Sequence, residues 1–286
     1  MPGHHTVRNA ARRLSVTFIL LVASGLLVVR GQNSQPLRGT LVVAVPVKEG
    51  LVVCADKRLF NTQAGSFADS FVKIRRVNNS ALFVATHTVG FFNAQSGKTE
   101  FDAFEIVSKY VAKNDLEAGK PFWDGLKREI TGQIRAYLGK RKFAEWPESD
   151  AANNDLLFNL LFYSVKENRA RSQSLKVFYK KARTPVIFVA DPITEEIKTP
   201  KLGGKGKDLL NYLALNPSVA QDPLIARFDQ ANFSVQTTSA RDAVSFAQKL
   251  FALTSTALPQ ARVSSTFDCA LLGYQSGFQW LQSGSQ

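Results

Sequence analysis

Histidine, methionine and cysteine are scarce in this chain of 286 residues, at three, one and two. His4 and His5 fall in an arginine-bearing N-terminal segment, which leaves His87 alone in the body of the chain. One histidine with Cys54 and Cys269 far apart does not make a metal-ligand cluster, so no metal is expected. A Ser-His-Asp triad would have to use His87, which sits at a strand end without a nucleophile elbow. Two cysteines are too few for a disulfide framework. Both lie in apolar, strand-like runs, so buried free thiols are the default reading, with a single disulfide open if the chain is exported. The Gly203-Gly-Lys-Gly206 cluster lacks the Walker spacing and its Lys-Ser/Thr pair, so no cofactor is expected there. No internal repeat is evident.

The composition is otherwise that of a folded chain, with 45% hydrophobic and 21% charged residues. The formal charge is +13, and removing the five unopposed arginines before Thr40 lowers it to +8. Lysines and arginines are spread over helices and loops without stacking aromatics, so specific nucleic-acid binding is not indicated. A basic surface facing an anionic envelope or an acidic partner is the milder account.

Residues 1–39 read as a targeting segment plus propeptide. Arg8, Arg12 and Arg13 form a basic start, and Leu14 to Val29 is uncharged and apolar. That run is shorter than the roughly 20 residues of a membrane-spanning helix, which favours a secretory signal. The nearest cleavage sites, Val29-Arg-Gly31 and Val22-Ala-Ser24, are imperfect, so a retained signal anchor touching the membrane through residues 14–29 stays open. Either way the expected location is exported, periplasmic or secreted.

The chemistry points to Gly39-Thr40 and the two β-branched runs after it, Thr40 to Val45 and Leu51 to Arg58, which read as a hairpin turning at Lys48-Glu49-Gly50. A threonine hydroxyl is a weak nucleophile until a base stands beside it, and an N-terminal threonine carries one in its own α-amine. A free α-amine, with pKa about 7.7 to 8.0, is poised near neutrality. The Gly39–Thr40 bond must then be cut, and glycine tolerates the twisted backbone that this requires.

The run Gly39-Thr40, Gly50, Asp56-x-Arg58, Val72-Lys73-Ile74 and then Ala81 to Thr86 resembles the β subunits of the proteasome and their bacterial relatives, which are N-terminal nucleophile hydrolases. Asp56 and Arg58 fall sixteen and eighteen residues after Thr40, as in that family. Lys73 falls one residue late, which implies an insertion between Asn61 and Ser70. The resemblance implies an α+β fold, a four-layer αββα sandwich over residues 40–286, and a self-processing threonine endopeptidase with a peptide or protein substrate. It implies that Thr40 attacks, that Lys73 lowers its hydroxyl pKa, that Asp56 holds Lys73, and that Arg58 props the loop behind them. Asp229 with Asn232 stands where the family has an aspartate and serine. His87 or Thr88 would supply the backbone oxyanion donor, since Thr86-His-Thr-Val-Gly90 replaces the family's glycine. A homo-oligomer is compatible with the resemblance. The alternative is an inactive scaffold of the same fold, tethered to the membrane.

The remaining elements follow from periodicity. Phe101, Phe104, Val107 and Val111 recur at helical spacing, as do Phe122, Leu126, Ile130, Ile134 and Leu138 after Pro121. Leu156–Tyr163, Leu175–Tyr179 and Pro185–Ala190 read as strands, with a solvated loop from Lys166 to Ser174. Asp208 to Ala214 reads as a short helix, and Ser239-x-x-Asp242 as the capping-box start of a longer one. Ser265–Tyr274 and Phe278–Leu281 read as a closing hairpin.

Overall fold

The computed structural model describes residues 34–38, 40–61, 66–68, 71–93, 98–151 and 154–282. The unit from Asn33 to Gln286 is an α+β fold built on antiparallel sheets. Its strands are β1 (Ser34–Arg38), β2 (Leu41–Val47), β3 (Gly50–Asp56), β4 (Leu59–Asn61), β5 (Ser66–Ala68), β6 (Ile74–Arg76), β7 (Ala81–His87), β8 (Gly90–Asn93) and β9 (Lys98–Asp102). Then come β10 (Leu156–Lys166), β11 (Arg169–Lys180), β12 (Val186–Val189), β13 (Ile193–Glu196), β14 (Lys201–Gly204), β15 (Phe267–Gly273) and β16 (Gly277–Gln282). The helices are α1 (Ala103–Val111), α2 (Lys120–Gly139), α3 (Gly206–Leu215), α4 (Pro217–Ala220), α5 (Pro223–Arg227) and α6 (Ala240–Ala257).

Three sheets result, ordered β14-β2-β3-β15-β16, β12-β11-β10-β7-β6 with β13 also on β11, and β5-β4-β1-β8-β9. The central strands β2, β3 and β15 of the first sheet and β7 of the second are apolar on both faces, because strand side chains alternate sides and both sides find cover. Val43, Val45, Cys54 and Cys269 share a cluster with Leu209 of α3 and Ala247, Leu250 and Phe251 of α6. The intervening Val42, Ala44, Val53 and Ala270 cluster instead with Leu82, Val84, Leu161 and Tyr163. Phe83, Phe158 and Phe162 pack with Phe104 and Val107 of α1 and Leu126 and Ile130 of α2.

Local chemistry sets the helix ends. Asp102 caps α1 by accepting the Phe104 and Glu105 N–H groups, and Pro121 stands in the first turn of α2. Ser239 and Asp242 form the reciprocal box that opens α6. Phe101, read as helical, belongs to β9, and the helix begins two residues later.

Three further readings change. The expected loop from Lys166 to Ser174 is mostly strand: Glu167 and Asn168 have positive φ and make a tight turn, and β11 starts at Arg169. Its polar side chains disguised a strand whose Ala170 is buried opposite Val165. Cys54 and Cys269 are a disulfide, not free thiols, because register makes them direct partners across β3 and β15. Ser34–Arg38, read as lying outside the fold, is paired on both sides in a sheet. Among the described residues no helix is long and apolar enough to cross a membrane, and the expected apolar segment 14–29 lies outside them.

Candidate active site

Thr40 stands at the head of β2 and is 2% exposed. The β2–β3 pairing sets Val42 against Ala55, which brings the end of β3 beside Leu41. The Leu41 N–H donates to Asp56 Oδ1 at 2.7 Å. Asp56 Oδ2 accepts from the Arg58 N–H at 3.1 Å and from Lys73 Nζ, also at 3.1 Å. Asp56 and Lys73 have fully buried side chains, so this is a desolvated ion pair reinforced by two backbone donors. The carboxylate thus ties the residue after Thr40 to an ammonium delivered from the chain just before β6.

Arg58 reaches the other way. Its Nη1 donates to the Val263 carbonyl at 3.3 Å, joining the end of β3 to the loop that precedes β15. A second buried pair lies alongside, with Lys57 Nζ 3.6 Å from Asp268 Oδ1. Nothing in the sequence pattern pointed to Asp268, which resembles any polar residue at a strand start.

The Gly203–Gly206 cluster also has a part in the site. Gly204 closes β14 against Leu41, and the Lys205 N–H donates to the Thr40 carbonyl at 2.9 Å. Gly204 has φ of 62°, and a Cβ there would lie 2.1 Å from the Thr40 carbonyl oxygen. Only glycine permits this approach. The glycine-rich strand-to-helix junction was visible in the sequence; its partner, the Thr40 backbone, was not.

The two candidate oxyanion donors part company. The Thr88 N–H is given to the Leu157 carbonyl at 2.9 Å, which removes it as a donor in this conformation. Val165 donates to Ser80 and Val77 to Ala81, so even residues of β7 bond β10 and odd ones face β6. The His87 φ of 69° is unusual for a residue with a Cβ, and its Nδ1 lies 3.0 Å from Thr86 Oγ1.

Asp229 and Asn232 lie exposed in the turn after α5. Asp229 Oδ1 accepts the Ala231 N–H, and Asn232 Nδ2 donates to the Ala226 carbonyl, so both serve that turn. The processing residue Gly39 lies outside the described residues. A concavity of about 780 Å³ between α1 and α2 holds none of the predicted site residues and is lined by lysines and glutamates such as Lys109 and Glu129. Among the described residues, no group of three or more His, Cys, Asp or Glu is placed to hold a metal ion.

No known family model matches the sequence, and no curated protein matches it significantly.

Proposed function

We propose that the chain is a self-processing threonine hydrolase, an endopeptidase whose nucleophile is Thr40 once the Gly39–Thr40 bond is cut. The observation that carries this reading is the Asp56 carboxylate, which bonds both the Leu41 N–H and Lys73 Nζ. In processing, Thr40 Oγ adds to the Gly39 carbonyl, the C–N bond breaks, and the acyl group moves to oxygen as an ester. Water then adds to that ester, Gly39 leaves as a carboxylate, and Thr40 regains its hydroxyl beside a free α-amine. In turnover the amine takes the hydroxyl proton as Oγ attacks a substrate carbonyl and returns it to the leaving amine, and water then hydrolyses the acyl ester, releasing a carboxylate and restoring the Thr40 hydroxyl. Lys73, held by Asp56, favours the developing alkoxide by its charge. His87 N–H is the proposed oxyanion donor.

The fold that suits this chemistry is a four-layer αββα sandwich. Support comes from the three apolar clusters, one between two sheets and one between each of those sheets and its helices. The Cys54–Cys269 disulfide supports an exported, oxidising location. A second reading, an inactive scaffold of the same fold, is favoured by one observation: β1, just before Thr40, is bonded into a sheet as part of the uncut chain. Hydrolysis of a fluorogenic peptide library separates the two. Assayed on the chain stripped of any fragment ending at Gly39, the hydrolase cleaves some members and loses all cleavage in Thr40→Ala, whereas a scaffold is uncut at Gly39–Thr40 and cleaves none.

A further inference from the structure

The strand preceding Thr40 is paired on both edges, which a disposable leader does not require. β1 is the middle of five strands, with Leu37 and Arg38 opposite Asn61 and Phe60 of β4, and Ser34 to Leu37 opposite Asn93 to Gly90 of β8. β4 has its own outer partner in β5 and β8 in β9, and among the described residues only β1 joins the two ribbons. Leu59 of β4, Phe91 of β8 and Phe101 of β9 anchor the ribbons in a core cluster, and β1 is what makes them one sheet.

Cutting the Gly39–Thr40 bond breaks none of these pairings, because it falls beyond the last residue of β1. The cut strand keeps its ladder on both edges. Pro36 supplies no N–H, which makes β1 weaker than a permanent central strand and suits an occupant that can be released.

We propose that the cleaved prosegment stays bound as the middle strand and holds the mature chain latent. The carboxylate made at Gly39 then remains next to the nucleophile, and an extended peptide cannot enter until the strand departs. This rests on the reading of Thr40 as a self-processing nucleophile.

The full chain, purified natively, tests it. Denaturing mass spectrometry is expected to show a chain starting at Thr40 and a fragment ending at Gly39, while native mass spectrometry shows the two together. Leu37→Pro, which deletes one ladder donor, should speed fragment loss and the onset of peptide hydrolysis by about five- to tenfold. A synthetic peptide of residues 32–39 should inhibit the stripped mature chain, and a scrambled one should not; this arm needs no folding variant. A cut chain that purifies without the fragment and ignores the peptide overturns the retained-strand proposal alone. An uncut chain overturns the self-processing reading and this proposal with it.

Discussion

Replacing Lys73 with methionine keeps a side chain of similar length and removes the cation. The carboxylate it leaves behind is fully buried and retains the Leu41 and Arg58 N–H groups as donors. Breaking a buried pair from one side costs about 3–5 kcal/mol, because a charge is stranded without its partner. Two surviving backbone donors put this case near the lower end, about 3 kcal/mol. At roughly 2–4 °C per kcal/mol for a domain of this size, the midpoint should fall by roughly 6–12 °C. Adding Asp56→Asn removes the stranded charge, so the double variant should recover part of the loss. Thermal and urea unfolding of the wild type, Lys73→Met, Asp56→Asn and the double variant at pH 7 provides the cycle. A single-variant loss under about 1 kcal/mol, or a double variant no more stable than Lys73→Met, would refute the claim that the buried pair organises this end of the fold.

Gly204→Ala should abolish cleavage at Gly39–Thr40 while leaving the far helices folded, since its Cβ would collide with the Thr40 carbonyl; N-terminal sequencing with circular dichroism reads both. Reducing the Cys54–Cys269 disulfide, which closes a loop of 215 residues, should cost about 5 kcal/mol on the chain-entropy account, measured as the shift in urea midpoint with and without reductant. Burial raises the Asp102 carboxyl above its ordinary range, against the pull of the Glu105 and Phe104 N–H groups. A raised folded-state value means that its contribution is fully present below the unfolded pKa and is lost as pH rises through the folded one. Asp102→Asn keeps an acceptor for the helix and cannot ionise, so it should match or exceed wild-type stability at pH 7, with no advantage once the pH falls below the unfolded value. Asp102→Ala should lose about 1 kcal/mol at either pH, as urea titrations would register.

Much of the fold was legible because its signals are local. The β2–β3 hairpin declared itself through two β-branched runs around Lys48-Glu49, α2 through its four-residue apolar repeat, and α6 through Ser239 and Asp242. The first turn of β11 was hidden because Arg169 to Ser174 carries polar side chains on a strand whose inward contacts are few. The short strands β4, β5 and β8 were hidden because three or four residues carry too little alternation to declare a strand, and β4 and β8 owe a further ladder to β1. At the site, Asp56 and Lys73 could be singled out by spacing, and the structure brings them within bonding distance. Gly204 and Lys205 could not be paired with Thr40, since 164 residues separate Gly204 from it and only the β14–β2 register joins them. The same limit applied to the disulfide, whose partners meet only once β15 pairs with β3.

The central claim is that residue 40 becomes a chain terminus through its own hydroxyl. Intact-mass measurement of the purified wild type and Thr40→Ala tests it directly. The account predicts a mature species beginning at Thr40 in the wild type and a chain left unbroken after Gly39 in the variant. An uncut junction in both, or the same cut in both, would contradict it.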